Sequence, residues 1–542
     1  MRVLFIYPNR GCPIGVNHGL AMLSGVLRAA GHETKLLVVN EQLAPIPEPE
    51  ALVQSVRDWA PELVGWSCMS QQYEWSRSMA QALREALPAL PQVVGGVHCT
   101  MVPDQVTADG DFDFVCVGEG EAALLELVAA LVAQADPTRI PNIRIPAQRV
   151  AGVRGAIRGA RKQLPLLSEE AIVNPVGPFP ELASLPPKRF ELFDIAQLLE
   201  MRRGWMSVIT SRGCPYKCTY CFNKEIVDLY RADGAGDAKS YLRHYPVERI
   251  IGELKNLSED HPEIETFIFD DDLFTLDRAY VHDFCEDYGA SGIARRFVVN
   301  AHVQVFDDAM ATDLAEAGCF MVKFGLESGS RRVRRDVLWR YMSNEKLLKA
   351  FAAAHAHGLH STAFIMFGLP TETREEMLET LQLCADCELG RFRWAIFFPF
   401  PGTAGHRMSE ELGLIDEAKM ARMGNYFDGS CLRLGEELDL FVEKLGRVCH
   451  WWVNALSSWG CSDFYKPLVA EVEGWSREDW ERNKGDLIRR DRELSERLLA
   501  DGVRHYSLRF THVMGVDSEF VLKERERCLE EPTYVPVGYT LD

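Results

Sequence analysis

Short apolar runs separated by stretches of helical periodicity recur along the first 135 residues. Val3 to Tyr7, Thr34 to Val39, Leu63 to Ser67, Val93-Val94 and Phe114 to Val117 read as buried strands. Between them helices are predicted from about Asn17 to Ala30, near Glu50 to Trp59, from about Glu74 to Leu87, and after Glu119. This alternation predicts an α/β fold on a doubly wound parallel sheet. Ligands of such sheets bind outside the carboxyl ends of the strands. The loops there are Pro8 to Val16, Ser67 to Gln72, Gly95-Gly96-Val97-His98-Cys99 and Gly118-Glu119-Gly120-Glu121, and their glycines let backbone approach a ligand closely. By itself the pattern predicts only a nucleotide-like ligand.

A second alternating series follows. Met206 to Thr210, Thr266 to Asp270, Phe297 to Asn300, Phe320 to Gly325, Thr362 to Phe367 and Trp394 to Phe398 read as strands of six βα units, a partial barrel with its chemistry at the carboxyl ends. Residues 150 to 163 are small and basic and Pro175 to Pro187 is proline-rich, so 139–200 reads as a linker. From about 430 the chain turns helical and aromatic. The expected division is 1–138, 139–200, 201–429 and 430–542.

Composition narrows the function classes. No apolar run approaches the roughly 18 residues that would span a bilayer, and Met1 to Tyr7 is too quickly followed by Pro8 and Asn9 to be a secretory signal. With 15 scattered cysteines, an odd number, the chain fits a reducing, cytoplasmic compartment. A formal net charge of -20 argues against a general nucleic-acid binder and favours a small or hydrophobic substrate.

Cys214, Cys218 and Cys221 are spaced Cys-x3-Cys-x2-Cys on a loop past a strand end. That spacing suits a 4Fe-4S cluster on three thiolates, whose fourth iron stays open to a ligand. With Tyr220 before the third cysteine, the segment resembles the signature of the radical S-adenosylmethionine (SAM) superfamily. The resemblance implies that SAM chelates the open iron and is cleaved by one electron to a 5'-deoxyadenosyl radical. Further motifs match in order: Asp270-Asp271-Asp272, Gly325-Leu326-Glu327-Ser328-Gly329, Gly368-Leu369-Pro370-Thr371-Glu372-Thr373 and Pro399-Phe400-Pro401-Gly402-Thr403. Tyr220, Phe222, Asp270, Glu327 and Ser328 are thereby implied in SAM binding. Strand-end capping is an equal reading for at least one of the aspartates, and helix capping an alternative for Glu327. Where many relatives carry an arginine at the third strand's exit, this chain reads Asn300-Ala301-His302-Val303-Gln304, so the partner of the SAM carboxylate is His302 or comes from elsewhere.

Upstream, Pro8-Asn9, Gly95-Gly96-Val97-His98 and Val117-Gly118-Glu119-Gly120-Glu121 resemble the cobalamin-binding domain of cobalamin-dependent radical SAM enzymes. The implied cobalamin contacts are Asn9, Gly15, Ser67, Gly95, Gly96, His98, Gly118, Glu119 and Gly120. No Asp-x-His-x-x-Gly motif supplies a lower cobalt ligand; His18 and His98 are loop or cap residues first. The implied architecture is an N-terminal doubly wound Rossmann-like cobalamin-binding domain, a partial (β/α)6 radical SAM barrel and a mostly helical C-terminal region covering the substrate. The implied activity is methyl transfer to an unactivated carbon, with a cyclase of the magnesium-protoporphyrin monomethyl ester type or a non-catalytic cobalamin sensor as alternatives. An external electron donor such as flavodoxin or ferredoxin is implied as partner. Cys384-x2-Cys387 reads as two core thiols, and the tail aromatics as pocket lining or helix packing.

Overall fold

The computed structural model describes residues 1–155, 170–423, 429–509 and 512–515. Its front sheet holds five parallel strands: β1 (Arg2–Pro8), β2 (Glu33–Val39), β3 (Leu63–Ser67), β4 (Gln92–Gly95) and β5 (Phe114–Cys116), in the order 2-1-3-4-5. Alternate side chains of each strand enter separate cores. Val3 and Phe5 pack on the side of the helices His18–Ala29 and Glu121–Ala133, while Leu4 and Ile6 pack on the side of Pro49–Trp59 and Tyr73–Ala86. Strand order reverses between β1 and β3, which opens a crevice at their carboxyl ends.

Two short strands within the segment read as a linker join this sheet. β6 (Ile143–Ile145) runs antiparallel beside β5, and β7 (Ile172–Val173) antiparallel beside β6. Asn174 fastens the edge by donating to the carbonyls of Thr138 and Ile143. Strands of three and two residues carry too few side chains to display a period, so composition alone suggested a linker. Residues 156–169, and with them much of the basic run, lie outside the described residues.

In the second sheet β8 (Trp205–Val208) stands at one end. A ribbon of β9 (Ser211–Arg212) and β10 (Arg243–His244) follows it, and the sheet continues through β11 (Thr266–Phe269), β12 (Arg296–Ala301), β13 (Cys319–Glu327), β14 (His360–Phe367) and β15 (Arg391–Ile396). The six strands β8-β11-β12-β13-β14-β15 are all parallel, as the six βα units require. The tail is mostly helical, as expected, and ends in β16 (Tyr506–Arg509) and β17 (His512–Gly515), which extend the sheet antiparallel beyond β15.

The tail aromatics are packing residues. Trp451, Trp452, Trp459, Tyr465 and Tyr506 are buried, and the His450 and Trp451 ring nitrogens converge on Asp491 at 2.6 and 2.9 Å. His450 holds the Asp491 carboxyl below the usual range despite complete burial. Cys384, Cys387, Cys449 and Cys461 are buried thiols in the same core.

Candidate active site between the two sheets

The cysteine loop leaves β8 through a fixed joint. Asp271, fully buried at the exit of β11, accepts from the Thr210 N–H at 3.1 Å, from the Thr210 hydroxyl at 2.7 Å and from the Ser211 hydroxyl. Gly213 has φ of 95°, and a Cβ there would lie 2.5 Å from the Tyr241 carbonyl oxygen, so the turn into Cys214 requires glycine. Cys221 caps the helix Phe222–Ala232. Burial pushes the Cys214 and Cys221 thiols up to about 12. Bare, they stay protonated; bound iron supplies the positive charge that makes them thiolates. Two N–H groups already aim at sulfur, Arg340 Nη1 at Cys218 Sγ and Asn223 Nδ2 at Cys221 Sγ, each at 3.5 Å. Hydrogen bonds of this kind tune a cluster. Among the described residues no three acidic, His or Cys side chains converge on a single ion position.

Beside this loop lies a buried polar trio. A bulge in the β13–β14 pairing re-aims Glu327, whose φ of 65° is unusual for a side-chain-bearing residue. Tyr220 donates to the Glu327 carboxylate at 3.0 Å, and Arg340 reaches it at 3.9 Å, the Tyr220 oxygen at 3.2 Å and the Gly325 carbonyl at 2.7 Å. Burial raises the Glu327 pKa, opposed by Arg340 and Tyr220. Glu327 therefore caps no helix. Arg340 places a buried guanidinium beside Glu327 and Cys218, where the exit of β12 carries none. His302 lies nearby, stacked 3.9 Å from the Tyr216 ring, its pKa pushed down to about 3 by burial and Arg340. The buried Ser328 hydroxyl pairs with Thr380 at 3.3 Å and accepts from the Ser330 N–H.

The three aspartates divide. Asp271 is structural, Asp270 stands 4.0 Å from His18 Nε2, and Asp272 faces the cavity between the sheets.

That cavity, about 500 Å³, has a wall from each domain. Ser67, Gly95, Gly96, Gly118, Glu119 and Gly120 line it from the front sheet as expected, with His18, Trp66, Thr100 and Cys116 added. Arg212, Gly213, Phe222, Tyr241, Tyr245 and Asp272 close it from the side of the cysteine loop, and Lys188 from the connecting segment. Its floor is apolar, formed by Phe5, Leu23, Val93 and Leu124. A Cβ on Gly120 would stand 3.5 Å from Cys116 Sγ and 3.6 Å from Leu23, filling space that glycine leaves above the floor. A flat, largely apolar ligand with polar edges fits such a cradle.

Asn9, Gly15 and His98 do not line it. Asn9 is spent on the Pro13 carbonyl and on Tyr7, Gly15 leaves room for Arg202, and His98 turns to Ser70 at 3.0 Å under the Tyr73 ring. His18, in contrast, lines the cavity with neither ring nitrogen hydrogen-bonded, and burial with Lys188, Arg202 and Arg212 pushes its pKa down to about 3. Among the described residues none beyond Asp272 lines the cavity.

Two family models match the chain, each over one wall of this cavity: "B12 binding domain" over residues 13–128 and "Radical SAM superfamily" over residues 208–384. The chain therefore carries a radical SAM domain and a B12 binding domain. It is thus a cobalamin-dependent radical SAM enzyme, whose domains imply a 4Fe-4S cluster, SAM and cobalamin as cofactors. It is 25% identical to an uncharacterized methyltransferase of Pyrococcus horikoshii over 74% of this chain and 82% of the relative. It is 24% identical to the anaerobic magnesium-protoporphyrin IX monomethyl ester cyclase of Rubrivivax gelatinosus, over 74% of this chain and 68% of the relative. Among solved structures the cobalamin-dependent SAM radical enzyme OxsB shares the fold, with a TM-score of 0.62 and 16% identity over 92% of this chain and 72% of the other. No helix of the described residues is long and apolar enough to cross a membrane.

Proposed function

We propose that this enzyme is a methyltransferase acting on an unactivated carbon of a small or hydrophobic substrate. The observation that carries the reading is the shared cavity: front-domain loops and the cysteine loop open onto one space. When bound, the cluster with SAM supplies a 5'-deoxyadenosyl radical and the cobalamin a transferable methyl group. Cys214, Cys218 and Cys221 would hold the cluster. Glu327 suits the ammonium or ribose diol of SAM, and the Arg340 fork suits its carboxylate. The glycine loops at 95–96 and 118–120 would carry the cobalamin, and the apolar floor keeps water from a carbon radical. The relative named as a methyltransferase supports this reading. The cyclase relative supports a second one, ring closure or rearrangement without methyl donation. Either needs one electron per SAM cleaved from an external donor such as flavodoxin or ferredoxin. The acidic chain makes nucleic acid a poor substrate.

Mass spectrometry of SAM products from anaerobically reconstituted protein under reductant, with and without cobalamin, tests the reading. Methyl transfer requires that cobalamin bring out S-adenosylhomocysteine beside 5'-deoxyadenosine. 5'-Deoxyadenosine alone supports the cyclase class. Neither product refutes both and leaves a cobalamin binder; products that survive Cys218→Ala overturn the assignment of the cluster to this loop.

A further inference from the structure

Glu119 of the front domain grips the radical domain on both sides of the cysteine loop. On the β9–β10 ribbon its carboxylate accepts from Arg212 Nη1, just ahead of the loop, at 2.9 Å and from Arg243 Nη1 at 3.1 Å. Behind the loop its backbone N–H donates at 2.9 Å to the hydroxyl of Tyr230, on the helix that starts directly after Cys221. Glu121 takes the other arm of the Arg212 guanidinium at 2.6 Å.

The ribbon makes this contact more than a surface pair. Arg212 and Arg243 are directly opposed across β9 and β10, and like charges in that position repel. The Glu119 carboxylate lies between them and removes the conflict. The strand entering Cys214 therefore depends on an anion borrowed from the loop 118–121, and that loop lines the front-domain crevice. Gly118, at φ of 82°, leaves no room for a Cβ against the Tyr230 hydroxyl, so the loop is seated on the cluster-side helix as well.

We propose that Glu119, Glu121 and Arg212 couple the two cofactor sites, so that a ligand in the front crevice and an assembled cluster each strengthen the binding of the other. A ligand that orders loop 118–121 fixes the carboxylates where the ribbon needs them. A cluster that orders 214–221 fixes the guanidinium where the loop needs it. Such linkage is reciprocal in binding free energy. The inference rests on the reading that this crevice takes cobalamin; Arg212, Glu119 and Glu121 act as positioning residues.

The test measures hydroxocobalamin dissociation constants for the full chain with and without a reconstituted cluster, iron and sulfide content confirming each state. In the unsubstituted protein the cluster tightens hydroxocobalamin binding about 10-fold, within the usual range of couplings, and cobalamin slows iron release to a chelator. Arg212→Lys keeps the charge but loses the two-armed fork. It and Glu121→Gln bring the ratio of constants towards one while thermal unfolding stays cooperative. If Glu121→Gln does not fold, Arg212→Lys decides. Equal constants with and without the cluster, or variants that retain the full ratio, overturn the coupling but leave the cobalamin reading standing. No binding in either state overturns both.

Discussion

Replacing Asp271 by alanine is expected to loosen the cysteine loop while leaving the rest of the barrel intact. The carboxylate is completely buried and is the acceptor for the Thr210 N–H and for the hydroxyls of Thr210 and Ser211. Each donor stranded by its loss costs about 1–3 kcal/mol. Against this stands the penalty of burying the charge. Burial, opposed by those same hydrogen bonds and by Lys188, raises the Asp271 pKa from 3.8 to about 6. At about 1.4 kcal/mol for each pH unit that is ~3 kcal/mol. The carboxyl's contribution is thus fully present below pH 3.8 and falls as pH rises through about 6, because the folded state holds its proton more tightly than the unfolded chain. Three stranded donors cost roughly 3–9 kcal/mol against ~3 kcal/mol of relief, so Asp271→Ala should destabilise by up to roughly 6 kcal/mol near neutral pH. Hydrogen exchange of the reconstituted protein checks it: protection should drop over residues 210–221 and at the neighbouring end of β12, where Asn300 donates to the Asp271 carbonyl at 2.9 Å. Unchanged exchange in 210–221, or an even loss over the whole chain, would refute the reasoning.

Three further outcomes are expected. Arg340→Met should retain iron but lower 5'-deoxyadenosine formation by about 10²–10³-fold, because it leaves Glu327 buried without its cation, a loss of ~3–4 kcal/mol; Arg340→Lys should recover part of it, and a variant as active as the parent would remove Arg340 from the site. Gly96→Ala would place a Cβ 2.7 Å from the Cys68 carbonyl oxygen at φ of 100°, so hydroxocobalamin binding measured by equilibrium dialysis should weaken at least 10-fold from ~2 kcal/mol or more of strain. Cys384→Ala with Cys387→Ala should leave iron per chain unchanged and cost ~1 kcal/mol each in denaturant unfolding; lost iron would make them ligands.

Elements long enough to show a period were legible from the chain itself. Leu63–Ser67 is a strand over the residues read for it, and the six parallel strands of the barrel sheet fall where their apolar runs stand. The cysteine loop was legible because ligation fixes its spacing locally. What escaped the sequence reading depends on distance along the chain. Arg340 lies 122 residues from Cys218 and belongs to no motif; a long side chain delivers its charge from a loop past β13 rather than from the exit of β12. His18 looked like a helix start, which it is, yet the start of that helix is also a wall of the cavity. Ser328 and Asn9 sit in the motifs read for them, and which neighbours share their hydrogen bonds is set by the fold rather than by local sequence.

The two short strands β6 and β7 bear on how the protein can be taken apart. β5 has β4 on one side and β6 on the other, so a front domain cut at residue 138 would bare the N–H and C=O groups along one side of Phe114–Cys116. Such an exposed edge recruits other strands. The fragment should associate through β5, whereas a cut after residue 174 keeps the edge covered. The strands β6 and β7 therefore belong with the front sheet, although the change in composition begins well before them.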